Sequence, residues 1–193
     1  MNHDDLVRKI AQGSHNALKT LYVEFNSRVY NTVLGMLQNR EEAEEITQDV
    51  FIEVFRSAVN FKFQSSVGTW LYRIAVNKSL DALRHRKRSK RFAFFTSLFH
   101  HESGEVNIEK PDFQHPGVLL ENKEKATILF KAIDLLPENQ RTAFVLSQVE
   151  QLPQKEIATI MTLSEKAVES LLQRAKSNLR TELEKFYPGR RKS

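Results

Sequence analysis

Between residues 70 and 91 the chain reads WLYRIAVNKSLDALRHRKRSKR, opening on its one tryptophan and closing on a block with six Lys or Arg in eight residues. One or two cations are enough to complement the C-terminal dipole of a helix. Six form a handle for a polyanion, although a solvated helix end is the plainer alternative. Lys and Arg side chains only donate hydrogen bonds, so the chemistry on offer is the holding of phosphate-like groups. Chemistry that breaks bonds has little to work with. There is no cysteine, no nucleophile paired with a base and no metal-binding carboxylate cluster. His100, His101 and His115 have the wrong spacing for two ligands on one helical face and read as surface histidines, so neither a metal nor a cofactor is implied.

The elements that position this block are helical. Leu6, Val7 and Ile10 make a short helix stopped at Gly13. Ser14 caps a second helix with apolar positions from Ala17 to Leu37 at spacings of three and four, ended by Asn39. A third, from about Glu41 to Val59, sets Ala43, Ile46, Val50, Phe51, Val54 and Phe55 against Glu44, Glu45, Gln48, Asp49 and Glu53. The loop NFKFQSSVG then leads into the segment quoted first. No alternating pattern with hairpin turns appears, so an all-α fold is expected.

Composition agrees with two small cores. The 193 residues are 40% hydrophobic and 27% charged, ordinary globular values. Lys plus Arg exceed Asp plus Glu by 29 to 24, and the net charge of +5 favours a polyanionic partner. Absence of cysteine fits a reducing cytoplasm, and no apolar run approaches the ~20 residues of a membrane span. A soluble, untargeted chain is expected. From about residue 92 to 121 periodicity fades and Gly, Pro and acids gather, a linker signature. Phe92, Phe94, Phe95, Leu98 and Phe99 at its start either finish the preceding core or dock on a partner.

Beyond the linker, a helix from Lys123 to Leu136 precedes Pro137, which suits the first turn of another carrying Ala143, Phe144, Leu146 and Val149. After Leu152 and Pro153, a short helix (Glu156 to Met161), a turn (Thr162, Leu163, Ser164) and a longer helix capped by Ser164 follow. Ala158, Leu163, Val168 and Leu171 are placed to pack two steeply crossing helices. This is the pattern of a helix-turn-helix, and a plain helical hairpin within a bundle is the alternative.

Taken together, EEAEEITQDVFIEVFRS, GTWLYRIAVNKSLDALRHRKR and LPENQRTAFVLSQVEQLPQKEIATIMTLSEKAVESLLQRAKSNLR, in this order, resemble the extracytoplasmic-function (ECF) subfamily of bacterial RNA polymerase sigma factors. The resemblance implies two small helical domains joined by a flexible linker. Residues 1–92 would bind core polymerase and recognise and melt the minus-ten element, 93–121 would be the linker, 122–187 would read the minus-thirty-five element, and 188–193 would form a basic tail. It implies an initiation factor rather than an enzyme, working in the cytoplasm with core RNA polymerase and promoter DNA. An anti-sigma factor is a further partner expected by resemblance alone.

Residue by residue, the resemblance places Glu45, Gln48 and Asp49 against the polymerase. It places Phe61, Lys62, Phe63, Gln64, Ser65 and Ser66 of the loop, with Trp70, Asn77 and Lys78, at unpaired minus-ten bases, and Arg84, Arg86, Lys87 and Arg88 on the DNA backbone. Trp70 is open to a second reading as core, and Asp81 to one as an internal cap or ion-pair partner. In the recognition helix, Ser164, Lys166, Glu169, Ser170, Gln173 and Arg174 are the candidates for bases, with Lys176 and Arg180 on phosphates. Here the chain departs from the commoner pattern. Ala167 replaces a frequent Thr, and Glu169 and Leu171 stand where basic residues are usual. Glu169 accepts from cytosine N4 but repels phosphate. Two rivals from other classes are a free-standing helix-turn-helix regulator, which would bind duplex DNA without polymerase, and a helical nuclease, which would cleave it with a metal.

Overall fold

The computed structural model describes the backbone of residues 2–99 and 123–186, and the side chains of residues 2–92 and 128–186. Those residues form α1 (His3–Ala11), α2 (His15–Leu37), α3 (Arg40–Ser57), α4 (Val67–Phe99), α5 (Lys123–Asp134), α6 (Glu138–Gln148), α7 (Gln154–Met161) and α8 (Glu165–Glu184). A single 3₁₀ turn, Ala58–Asn60, follows α3. Among the described residues there is no strand.

Capping decides most of the boundaries. The Ser14 hydroxyl accepts from the Ala17 N–H at 3.3 Å, Asn39 Oδ1 from the Glu42 N–H at 2.9 Å, and the Ser164 hydroxyl from the Ala167 N–H at 3.2 Å. Each satisfies a donor that the first helical turn leaves without a partner. Asn39 therefore starts α3 rather than ending α2, which closes instead on Gln38 in the left-handed conformation at φ 55°. Gly13, at φ 88°, makes the turn between α1 and α2 in a backbone region where other residues are strained. Helix α4 begins earlier than the spacing suggests and continues to Phe99, beyond the expected end at residue 92.

The first core is built by α1, α2, α3 and the inner face of α4. Val7, Leu21, Val33, Leu34, Val50, Val54, Leu71 and Ala75 are completely enclosed in it. A smaller core joins α5 to α8 through Ala132, Ile133, Leu136, Ala175 and Leu179. Between them lies a cluster that the sequence does not reveal: Met36, Tyr72 and Val76 from the first half are buried together with Val145, Leu146, Ile157 and Ile160 from the second. In the helix-turn-helix, Ala158, Val168 and Leu171 are buried as the spacing predicts, whereas Leu163 in the turn is 39% exposed. Phe92 is 75% exposed, and the side chains of Phe94, Phe95, Leu98 and Phe99 lie outside the described residues, as do His100, His101 and His115.

Leu71 is fully buried at the centre of the first core. Replacing it with Ala removes its contacts and leaves a cavity, at a cost of about 2–5 kcal/mol. Urea unfolding checks this; a loss under about 1 kcal/mol would mean the site collapses around the smaller side chain.

Candidate nucleic-acid and polymerase interfaces

Helix α4 carries three faces. Leu71, Ala75 and Leu83 point into the first core, and Tyr72, Val76 and the half-buried Leu80 face the second half. The remaining positions Asn77, Asp81, Arg84 and Arg88, at helical spacings of three and four, are exposed. Arg84 Nη1 donates to Asp81 Oδ1 at 2.9 Å, so Asp81 is an ion-pair partner on that outward face.

The basic block is not uniform. Arg86 folds back onto α2 and α3, where its guanidinium meets the Glu42 carboxylate and lies 3.5 Å from the Leu37 carbonyl at the end of α2. A cation there satisfies a helix C-terminus and an acid together. Lys87 Nζ reaches Glu138 Oε1 at 2.6 Å, across to the second half. Arg84, Arg88, Lys90 and Arg91 point outward.

The loop before α4 holds a row of rings. Phe61 stacks on Trp70 with centroids 4.4 Å apart and planes at 23°, and Phe63 meets the edge of Phe61 at 4.8 Å. Arg8 of α1 lies 4.6 Å above Phe63. Phe63 sits at φ 54°, an uncommon conformation for an aromatic residue. Trp70 is half-buried, serving the loop and the core edge together, while Lys62, Phe63 and Gln64 are exposed. Ser66 is occupied locally: its hydroxyl accepts from the Thr69 N–H at 3.1 Å and contacts the Thr69 hydroxyl at 2.8 Å, capping α4. Ser65 is half-buried beside it.

On α3, Glu45 and Gln48 are exposed, and Ile52, 47% exposed, continues their face one turn on. Asp49 Oδ2 lies 3.8 Å from Lys78 Nζ, which joins a polymerase candidate to a minus-ten candidate. At the front of α8, Ser164, Lys166, Glu169, Ser170, Gln173, Arg174 and Lys176 are all exposed. Two are partly engaged within the helix, with the Ser170 hydroxyl donating to the Lys166 carbonyl at 3.0 Å and Arg174 Nε to the Ser170 carbonyl at 3.2 Å.

Polar contacts between the halves escaped the sequence. Tyr72 Oη donates to Glu150 Oε2 at 2.6 Å, and Arg28 Nε lies 3.6 Å from the same oxygen while its guanidinium covers the Tyr72 ring. The Glu150 side chain is 4% exposed. Burial, then the hydrogen bond and negative charge of Glu150, push the Tyr72 hydroxyl far above its ordinary pKa. Arg141 is buried too; its guanidinium donates to the Met36 carbonyl at 2.9 Å and to the Asp134 carboxylate at 2.9 Å. Burial lowers its pKa, and Asp134 opposes that shift. The sequence carries two traces of additional buried surface, neither of which names its partner: the unbroken apolar run VLGML at the end of α2, and a second apolar stripe (Tyr72, Val76, Leu80) on α4, more than one core requires.

Comparison with known proteins fits this geometry. Residues 21–89 match the model for Sigma-70 region 2, and residues 127–179 that for Sigma-70, region 4. The RNA polymerase sigma-H factor of Pseudomonas aeruginosa is 29% identical over 175 residues, covering 89% of this chain and 88% of that protein. The ECF RNA polymerase sigma-E factor of Haemophilus influenzae is 30% identical over 182 residues, covering 93% of this chain and 94% of that protein. The chain belongs to the ECF sigma factor family. It is an alternative sigma factor, which binds core RNA polymerase and directs it to promoters. The fold agrees with CnrH in its complex with the cytosolic domain of CnrY, at a TM-score of 0.68 and 18% identity over 95% of this chain and 98% of that one. It agrees also with RpoE of Bartonella quintana in complex with the anti-sigma factor NepR, at 0.63 and 19% over 86% and 96%. No described helix of the sigma factor is long and apolar enough to cross a membrane.

The sigma factor has four tyrosines. A group whose pKa is raised by folding contributes stability below its ordinary value, near 10, and loses it as pH rises through the raised one. In an alkaline titration followed by tyrosinate absorbance, Tyr72 ionises well above its ordinary range, and Tyr72→Phe removes that late step. A titration curve that Tyr72→Phe leaves without loss of any late step would show Tyr72 to be neither buried nor bonded to Glu150.

Proposed function

We propose that the outward face of α4 and the loop before it form the minus-ten site, with Asn77, Lys78, Arg84, Lys87 and Arg88 beside Phe61, Lys62, Phe63, Gln64, Ser65 and Trp70. The observation that carries this reading is the third face of α4: polar and cationic side chains stay exposed on a helix whose other two faces are packed. The exposed Phe63 ring, the half-buried Phe61 and Trp70 rings and the exposed amides of Gln64 and Asn77, next to cations, suit unpaired bases and their phosphates. Arg86 and Ser66 serve the site indirectly, by anchoring and capping the helix. Melting follows if binding free energy for captured bases offsets the loss of stacking.

Glu45, Gln48 and Asp49, extended by Ile52, form the polymerase-docking face. Residues 1–92 carry these roles, and 122–187 read the minus-thirty-five element through Ser164, Lys166, Glu169, Ser170, Gln173, Arg174 and Lys176. Residues 93–121 link the two, and 188–193 add a basic tail. The factor works in the cytoplasm, catalyses no bond change itself, and takes an anti-sigma partner, as the related CnrH and RpoE complexes suggest.

The direct test is run-off transcription from a genomic promoter library by core polymerase with and without this chain. New start sites that share two upstream elements support the reading. Binding to duplex DNA with no effect on polymerase favours a free-standing regulator instead.

Two variants separate the cations. Arg88→Ala lowers the slope of log binding against log salt by about one unit, whereas Arg86→Ala lowers thermal stability and leaves the slope nearly unchanged. Equal slopes for both variants and the parent would return the block to a solvated helix end. Trp70, the one tryptophan, reports on the loop. Its fluorescence changes on binding a single-stranded minus-ten oligonucleotide in the presence of core polymerase, and Phe61→Ala weakens that response; an unchanged signal removes both rings from the site.

A further inference from the structure

Helix α1 takes no part in the interfaces assigned above, yet it reaches the loop before α4. Leu6, Val7 and Ile10 bury it in the first core, and it packs on the 3₁₀ turn Ala58–Asn60, from which the chain runs directly into Phe61. At its start His3 Nε2 lies 2.6 Å from Glu24 Oε1 on α2, and the His3 and Phe25 rings meet edge to face at 5.2 Å. A helix held in this way is a fixed platform beside the loop.

The residue that α1 brings to the loop is Arg8, whose guanidinium carbon lies 4.6 Å from the centre of the Phe63 ring. Asp4 stands four residues earlier on α1, a spacing that suits an ion pair. Among the described residues, however, Arg8 makes neither an ion pair nor a hydrogen bond, and the cation rests on the ring instead. Phe63 is a residue that needs holding. It sits at φ 54°, in the left-handed region where a side chain crowds its own backbone, and such a residue stays there only where its surroundings impose it. At 36% exposure the ring is not held by burial. Two contacts remain: Arg8 above its face, and Phe61 at 4.8 Å, which itself stacks on Trp70 at 4.4 Å. A continuous row, Arg8, Phe63, Phe61 and Trp70, therefore joins α1 to α4 across the loop. Lys62 and Gln64, the neighbours of Phe63 on either side, are exposed, and the backbone at Phe63 sets the directions in which they leave the loop.

We propose that Arg8 is a positioning residue for promoter reading: its guanidinium clips Phe63 into the left-handed turn and so aims Lys62 and Gln64 at the unpaired strand. The inference rests on the assignment of residues 61–66 to the minus-ten site. Arg8 acts through the ring rather than on the nucleic acid, and α1 becomes one wall of the loop's mounting, with α4 as the other. The clip is specific to a cation over a ring, because an uncharged side chain at position 8 gains nothing from the negative face of Phe63.

The probe is a promoter recovered by run-off transcription, with its minus-ten segment held unpaired by mismatches, and it is bound by the full chain together with core polymerase. Arg8→Ala should weaken that complex about two- to fivefold, the value of one exposed cation–ring contact. The slope of log binding against log salt should stay unchanged, because no phosphate contact is lost. Arg8→Lys returns a cation to the ring and should recover most of the affinity. Phe63→Gly removes the ring and takes up φ 54° without strain, so in that background Arg8→Ala should have no further effect. A slope lowered by about one unit, or equal losses in the parent and in the Phe63→Gly background, would overturn the clip and make Arg8 a plain phosphate contact. An unchanged complex for Arg8→Ala, with binding weakened by Lys62→Ala and Gln64→Ala, would overturn it while leaving the loop in the site. Where those two variants are silent as well, the minus-ten assignment of the loop falls, and the proposal with it.

Discussion

Everything in this molecule depends on how the circumference of α4 is divided. A helix offers a limited number of residues per turn, and those at spacings of three and four share a face. One stripe, Leu71, Ala75 and Leu83, is spent on the first core, and a second, Tyr72, Val76 and Leu80, on the other half of the chain. What remains, Asn77, Asp81, Arg84 and Arg88, is polar and exposed. Two packed faces fix the helix in place, and a fixed helix can present cations and an amide to DNA in a defined geometry.

The same constraint explains why the basic block is divided by role. A guanidinium at position 86 faces the end of α2, where the Leu37 carbonyl lacks a helical partner and Glu42 supplies charge. Its neighbours two residues away on either side face solvent. Six cations that look equivalent as letters are therefore an anchor, an interface contact and a set of outward charges. Helix periodicity, rather than charge count, sorts them.

Local features were legible in the sequence and long-range ones were not. Ser14 and Ser164 cap their helices as their types and positions predict, because a cap is decided within three residues. Apolar spacing likewise gave the stripes of α2 and α3, and the family resemblance was recovered by comparison. Asn39 was misplaced by one helix, since an Asn between two helices suits the end of one and the start of the next equally. The joint between the halves was hidden for a different reason. Tyr72 and Glu150 are 78 residues apart, and Arg141 and Met36 are 105 apart. No periodicity links such positions. The only trace was a surplus of apolar surface, at VLGML and on the second stripe of α4, without any indication of what covers it.

The measurement closest to the central claim maps where α4 lies in the open promoter complex. A DNA-cleaving reagent tethered at Arg84→Cys, in a chain with no other cysteine, is compared with one at Ile52→Cys on α3. The account predicts cuts within the minus-ten region from position 84 and none there from position 52. Cuts from position 52 with none from 84 would contradict it, and would move the DNA site from α4 to α3.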